Sequence, residues 1–347
     1  MNEPRLKVLL VGPCPPPHGG ISIHVWNARA ILRGQGVPCE VLNIEPRAPE
    51  SDQYIKISGS AGLALYLGRY CANGWTVHTH INGHTPKSWL IALASGIAAQ
   101  VGAGGVLTIH SGLSPEYLRQ ASSHWRRLAL LAALQFNRIV CVNDEIASTV
   151  NGLGVESGKL RVLPAFLPQG SDTPAGIPED IDRWMQAHRP VLSTALTFRP
   201  EYGFDVLARA LTELKAKYPS LGCLVMGNGE DRAAVEGTVK DGLSDVVRLL
   251  GDVHHDLCLS LMSRSDVFVR PTFRDGDSIS VREAVALGVP VVASKVGTRP
   301  AEVRLFDPGD AAGLCRQVEY ALKSEKRLAA ASSSAHAIGR FRNLYSF

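Results

Sequence analysis

The sequence predicts an α/β protein built from two Rossmann-like, doubly wound parallel-sheet domains facing each other across a cleft. Three observations carry this. The chain has 347 residues, more than one ordinary α/β domain uses and enough for two. Short apolar runs rich in Val, Ile and Leu alternate with longer segments of helical periodicity from Leu6 onwards. Strands that are apolar on both faces belong to parallel sheets covered by helices. The alternation stops once, at the Pro-, Gly-, Ser- and Asp-rich stretch Pro168–Pro178, and then starts again, as it does at a linker. The expected organisation is a first domain over 1–168, a linker over 169–178, a second domain over 179–330, and a tail over 331–347 able to pack back on the first domain.

In the first domain, strands are expected at Leu6–Gly12, Glu40–Ile44, Thr76–His80, Val106–His110, Ile139–Asn143 and Leu160–Leu163. Helices are expected over Ile21–Arg33, Lys87–Gln100 and Pro115–Phe136. In the second, the strands read Val191–Leu196, Gly222–Gly227, Val246–Gly251, Val267–Arg270, Val289–Ser294 and Val303–Phe306, with helices starting near Tyr202, Asp231, Asp256, Ser280 and Asp310. In such a pair of domains a ligand belongs in the cleft, at the carboxyl ends of the strands.

Composition narrows the function. Apolar residues make up 45% and charged residues 20%, with a net charge of +4. This is globular, and it lacks the dense Lys/Arg stripes of a nucleic-acid binder. A mild positive balance suits an anionic substrate or an anionic membrane surface. The seven cysteines are scattered with no C-x-x-C pair, which reads as reduced core thiols in a cytoplasmic setting. A strand begins almost at Met1, leaving no expected signal peptide, and no run of eighteen apolar residues occurs.

Two segments carry chemistry. The loop Gly12–Ile21 (GPCPPPHGGI) follows a strand and opens a helix. Its Gly19 and Gly20 would let backbone N–H groups approach an anion at the helix start, or would serve only the backbone angles of a tight turn. The stretch Pro271–Ala286 (PTFRDGDSISVREAVA) sets Asp275 in a loop and Glu283 in the following helix. The two carboxylates would face one cleft and accept hydrogen bonds from hydroxyl groups, or they are solvated charges at a helix start together with Asp277. His78, His80 and His84 have no acidic or cysteine partner in ligand spacing. They read as a strand-end cluster without metal, His80 within reach of an acceptor. His254 and His255 read as surface turn residues. Arg126 and Arg127 beside Leu128–Phe136 belong to an ordinary amphipathic helix or to a membrane-docking face. Gly297-Thr-Arg-Pro300 is a turn, or closes a pocket with Arg299 as its cation.

Taken together, Gly19-Gly20 after the first strand, Leu107-Thr-Ile-His110, Gly227-Asn-Gly-Glu230, and Asp275 and Glu283 before Gly288-Val-Pro-Val-Val-Ala293 resemble the retaining glycosyltransferases of family four, over about residues 6–325. The resemblance implies the GT-B fold and transfer of a sugar from a UDP- or GDP-linked donor to a glycan, lipid-linked or small-molecule acceptor. It implies retention, no cofactor and no metal, and a place in surface polysaccharide or glycoconjugate assembly. By the same resemblance, Gly19 and Gly20 bind the donor diphosphate and His110 sits by the transferred sugar. Asp275 contacts sugar hydroxyls and Glu283 the ribose. The backbone at Ser278, Ile279 and Ser280 meets the phosphates, and Gly227 and Gly229 lie near the base. The sequence departs from the family at Asp275, where Glu is usual. It departs also at Thr197 and Tyr202, which stand where an Arg and a Lys are usual and leave Arg199 as the nearest cation for the diphosphate. Pro164-Ala-Phe-Leu-Pro168 replaces the usual Pro-Asn-Gly. These departures also admit a catalytically inactive nucleotide-sugar-binding partner subunit, or a sugar-nucleotide epimerase of the same shape.

Overall fold

The computed structural model describes residues 6–165, 175–323 and 334–346. The described residues up to 165, with 334–346, form one compact unit, and 175–323 form a second. Residues 169–174 of the expected linker and 331–333 and 347 of the expected tail lie outside the described residues.

The first unit is a seven-stranded sheet of β1 (Val8–Gly12), β2 (Cys39–Asn43), β3 (Ile55–Lys56), β4 (Thr76–Ile81), β5 (Gly105–Ile109), β6 (Arg138–Cys141) and β7 (Leu160–Val162). Its order is β3-β2-β1-β4-β5-β6-β7, and every pairing is parallel. β3 is a two-residue edge strand that adds to the expected set. It is too short to show a periodicity of its own. The chain first builds outward from β1 through β2 to β3, then crosses back to β4. β1 and β4 therefore flank a switch point, where the carboxyl ends of the strands open a crevice.

Every residue of β1, β4 and β5 is buried; β1 and β5 are largely apolar, whereas β4 buries Thr76, His78, Thr79 and His80 as well. The expected helix Pro115–Phe136 is two helices, Ser114–Gln120 and Ser123–Leu134. Ala121 and Ser122 between them are extended, with ψ of 142° and 160°. The Ser122 hydroxyl bonds the His124 ring at 3.0 Å, the local competition with helix that serine offers. The segment 334–346 carries the helix Ser334–Arg342 and a short turn Asn343–Tyr345. Phe341, Leu344 and Tyr345 are buried with Val8, Leu10, Val106 and Val140 of the first sheet, and the Arg138 guanidinium donates to the carbonyls of Asn343 and Ser346.

The second unit is a six-stranded parallel sheet of β8 (Val191–Ala195), β9 (Gly222–Met226), β10 (Val247–Gly251), β11 (Val267–Arg270), β12 (Val291–Ser294) and β13 (Arg304–Phe306). The order β10-β9-β8-β11-β12-β13 puts its switch point between β8 and β11. Both sides of the sheet are covered by apolar clusters. One is centred on Leu207, Leu211, Val225 and Leu314, the other on Met185, Leu261, Phe268 and Ala284. All seven cysteines are free thiols. Among the described residues no helix is long and apolar enough to cross a membrane.

Candidate functional site

At the first unit's switch point, the chain leaves β1 through a proline-rich loop and enters the helix Gly20–Gly34. Ser22 holds the turn. The Gly19 N–H donates to its Oγ at 2.8 Å, and that hydroxyl lies 2.9 Å from the carbonyls of Pro17 and Gly19. Gly19 is extended, with φ −127° and ψ 164°, a conformation open to any residue. A Cβ at Gly20 would meet nothing within 4 Å, and one at Gly19 only Ser22 Oγ at 3.9 Å. The loop does not require glycine at either position, which removes the reading of this pair as a purely conformational need. What remains is bare, exposed backbone before a helix start whose first N–H groups have no intrahelical acceptor, and such a start attracts anions.

Behind this loop lies a buried stack of imidazoles. His78 and His80 come from β4, His110 follows β5, and His24 comes from the Gly20–Gly34 helix. Ring centroids are 5.2 Å apart for His24 and His80 and 5.0 Å for His24 and His110. His80 Nδ1 bonds His110 Nε2 at 3.1 Å. His78 bonds the Tyr345 and Thr108 hydroxyls, each at 2.7 Å, and His24 Nδ1 donates to the Ala165 carbonyl. Burial pushes His24 down to about 4 and His78, His80 and His110 well below the usual histidine value. All four are neutral near pH 7.

His80, expected on the acceptor side, has no exposed surface. It lies inward and bonds the His110 ring. The compact trio with ligand-like spacing is His24, His80 and His110, whose ligand nitrogens all lie within 4.8 Å of one another, rather than His78, His80 and His84. Within the trio His80 bonds His110 and His24 bonds the Ala165 carbonyl, while His24 meets the other two through ring contacts.

At the second unit's switch point, the helix Ile279–Ala286 is capped by Ser278, whose Oγ accepts the Val281 N–H at 3.4 Å. The acidic residues around this helix are not solvated. Asp277 and Glu283 are buried, and Asp277 accepts from Arg282 Nε at 2.6 and 2.9 Å. Asp275 Oδ2 accepts from Arg270 Nε and Arg299 Nη1, each at 3.1 Å. Burial alone would raise the Asp275 carboxyl, but the two guanidiniums hold it below the usual carboxylate range. Arg299 is thus a buried partner of Asp275 and not a free charge on a turn.

Glu283 has a partner the sequence did not suggest. His255 Nε2 donates to its Oε1 at 2.7 Å. The His255 side chain is only 12% exposed, because the helix His255–Arg264 packs on the helix bearing Glu283. Desolvation lowers its pKa, but the Glu283 hydrogen bond and charge outweigh that, and the net direction is up. His255 is therefore corrected from a surface turn residue to a buried ion-pair partner. Its neighbour His254 is exposed, as a surface turn residue should be. His255 and Glu283 lie 28 residues apart in the sequence, so no local spacing could have paired them.

Arg199 is 42% exposed and pairs with Glu230 at 2.8 Å. Gly227 has φ +130°, and a Cβ there would stand 1.8 Å from the Leu196 carbonyl oxygen. A Cβ at Gly229 would stand 2.4 Å from that of Phe198. Close backbone approach to the chain leaving β8 fully accounts for both glycines. Arg270 and His24 were missed. The first had a weak signal, an arginine closing the apolar strand Val267–Arg270, and the second none.

Residues 188–324 match the family model described as "Glycosyl transferases group 1". Over 116 residues the chain is 34% identical to a phosphatidyl-myo-inositol mannosyltransferase of Propionibacterium freudenreichii subsp. shermanii, covering 33% of this chain and 28% of that one. Over 224 residues it is 26% identical to one component of the Homo sapiens phosphatidylinositol N-acetylglucosaminyltransferase, covering 64% and 44%. Over 151 residues it is 28% identical to the GDP-mannose-dependent alpha-(1-6)-phosphatidylinositol monomannoside mannosyltransferase of Mycolicibacterium smegmatis, covering 40% of each. The matches thus span less than half the length of these relatives. Among solved structures, Anabaena HepE in complex with UDP-glucose superposes with a TM-score of 0.68 at 19% identity, over 98% of this chain and 97% of that one. Sucrose-phosphate synthase from Thermosynechococcus elongatus gives 0.71 at 18% identity, over 98% and 95%. The chain has the two Rossmann-like units of the GT-B fold.

Proposed function

We propose that this chain is a glycosyltransferase that moves a sugar from a nucleoside-diphosphate donor to a hydroxyl of a glycan or lipid-linked acceptor, with retention at the anomeric carbon. One observation carries the reading. Within the segment matching group 1 glycosyl transferases, the helix start Ser278–Ser280, buried Glu283 and half-buried Asp275 lie at the carboxyl end of the sheet. Backbone amides at Ser278, Ile279 and Ser280 take the donor phosphates, Glu283 the ribose hydroxyls and Asp275 the sugar hydroxyls, with the base beside Gly227 and Gly229. Gly19 and Gly20 offer further amides to the diphosphate, and neutral His110 bonds the transferred sugar without competing for its phosphates.

The bond from the anomeric carbon to the diphosphate oxygen breaks, and its electron pair stays on the diphosphate. The acceptor oxygen bonds the same carbon and its proton goes to the departing diphosphate. No metal or cofactor is called for in this scheme, because amides and side chains carry the leaving charge. The named relatives include a GDP-mannose-dependent enzyme, and HepE is seen with UDP-glucose, which supports a GDP- or UDP-linked donor.

A lipid-linked acceptor finds support in three helices of the first unit that pack side by side, Gly59–Cys71, Pro86–Ala99 and Ser123–Leu134. They carry Arg69, Lys87, Arg126 and Arg127 and no acidic residue. On them or just beyond them, Leu65, Leu90, Ile97, Val101, Leu131 and Leu134 are exposed. An acid-free, partly apolar layer is suited to an anionic membrane surface. We place the work at the inner face of that membrane, in the reducing compartment that seven free thiols favour.

Thermal shift against UDP-, GDP-, ADP- and dTDP-sugars, followed by product analysis with and without acceptor, tests the proposal. Stabilisation by one nucleotide class and acceptor-dependent turnover are expected. Binding without turnover would indicate an inactive binding partner, and turnover of the donor alone an epimerase.

A further inference from the structure

Among the described residues, the switch point of the second unit sets two guanidiniums on one carboxylate. Arg270 is the last residue of β11, and it spans the switch point. Its Nη1 donates to the Ala195 carbonyl at the end of β8, at 2.6 Å. Its guanidinium lies 5.1 Å from the centre of the Tyr202 ring, on the chain that leaves β8. Arg299 reaches the same point from the loop after β12, and both arginines share Asp275 Oδ2 at 3.1 Å. The side chains of Arg270, Arg299 and Asp275 are 10%, 4% and 11% exposed.

Two guanidiniums against one carboxylate leave one positive charge largely withdrawn from water. The next carboxylate, Asp277, is held at both oxygens by Arg282, and Glu283 is held by His255. A buried charge in excess is unfavourable until an anion offsets it. The start of the helix Ile279–Ala286 favours an anion at the same end of the sheet.

The arrangement is also rigidly built. Gly297 has φ +60°, and a Cβ there would lie 2.3 and 2.4 Å from the carbonyl oxygens of Asp275 and Gly276. The Thr298 N–H donates to the Gly276 carbonyl at 2.9 Å. The loop that carries Arg299 is therefore clamped to the loop that carries Asp275. Arg199, by contrast, sits on the surface and is paired with Glu230.

We propose that Arg270 and Arg299 form the diphosphate-binding cation pair of this chain, with Tyr202 as the platform under Arg270 and Asp275 as the tether that aims both guanidiniums. They take the task for which the sequence left only Arg199. The planar, permanently charged fork of arginine suits a diphosphate, and the pair meets the charge that arrives on the leaving oxygen. This assignment rests on the donor reading above.

Calorimetric binding of UDP, UMP, GDP, GMP and inorganic pyrophosphate to the full chain tests it. Arg270→Gln is expected to weaken the diphosphate of the preferred base, and pyrophosphate, about tenfold or more. The monophosphate should change about twofold or less, and Arg199→Gln should change neither. In the Arg270→Gln background, Thr197→Arg with Tyr202→Lys should restore diphosphate binding by bringing the charge in from β8. Arg299→Gln, expected to show the same loss confined to the diphosphate and pyrophosphate, serves if Arg270→Gln fails to fold. Equal losses for diphosphate and monophosphate, or a diphosphate loss confined to Arg199→Gln, would overturn the assignment. Pyrophosphate binding without any nucleotide binding would refute the donor reading and leave the cation pair standing. Binding of neither would refute both.

Discussion

The two switch points of this molecule solve the same problem with opposite electrostatics. In the first unit, polar chemistry is concentrated in four buried imidazoles that burial keeps uncharged. In the second, it is concentrated in buried full charges, Asp275 between Arg270 and Arg299, Asp277 with Arg282, and Glu283 with His255. Desolvation acts on both. It wins where a titratable ring has only neutral partners, and it loses where an opposite charge lies within hydrogen-bond distance. A neutral surface is suited to holding a sugar hydroxyl, and a charged one to holding a diphosphate.

The largest consequence is a difference in response to pH. His24 is held at about 4 in the folded chain against an ordinary 6.5. Between these values the unfolded state takes up a proton that the folded state refuses. The first unit's stability is therefore full above pH 6.5 and falls as the pH drops towards 4, by about 3 kcal/mol from His24 alone. His78, His80 and His110 add to the loss in the same direction. His255 has the opposite sign. Its raised pKa gives stability that is present below pH 6.5 and lost as the pH rises through the folded value. Amide-exchange mass spectrometry across this range should show the first unit opening in acid before the second. His255→Asn should abolish the second unit's loss of stability as the pH rises above the ordinary histidine value. Simultaneous opening of both units would break the comparison.

A smaller effect separates conformation from binding at the glycine pair. Because a Cβ at Gly20 meets nothing, Gly20→Ala should leave the melting temperature unchanged or raise it slightly, by up to about 1 kcal/mol of helix propensity. It should still weaken donor binding several-fold, as read by calorimetry. A destabilised variant with unchanged affinity would restore the simple turn.

How much of this was legible depended on whether a residue's partners lie near it in sequence. Strands such as β1 and β5 announce themselves because both faces are buried and the run stays apolar. The two-residue edge strand β3 has no period to read. The helix break at Ala121–Ser122 was hidden by apolar residues that continue on its far side. The segments proposed for the site were chosen from Gly19-Gly20 and from the Asp275 and Glu283 spacing. Their electrostatics were not legible there. The carboxylates looked equally ready to be solvated, and only the fold brings Arg299 to Asp275 and His255 to Glu283. Arg199 had the reverse fate. Closest in sequence to the expected cation position, it faces solvent.

The most direct test of the central claim, charged donor chemistry in the second unit and neutral sugar chemistry in the first, is a kinetic comparison of Glu283→Ala with His110→Ala at saturating acceptor. Glu283→Ala is expected to raise donor KM and lower kcat/KM on the order of a hundredfold, the loss of charge-assisted bonds to the ribose. His110→Ala should lower kcat while nucleotide binding, measured separately, stays within about twofold of wild type. Unchanged kcat/KM in Glu283→Ala, or equal losses of turnover and nucleotide affinity in His110→Ala, would contradict the division of labour between the two units.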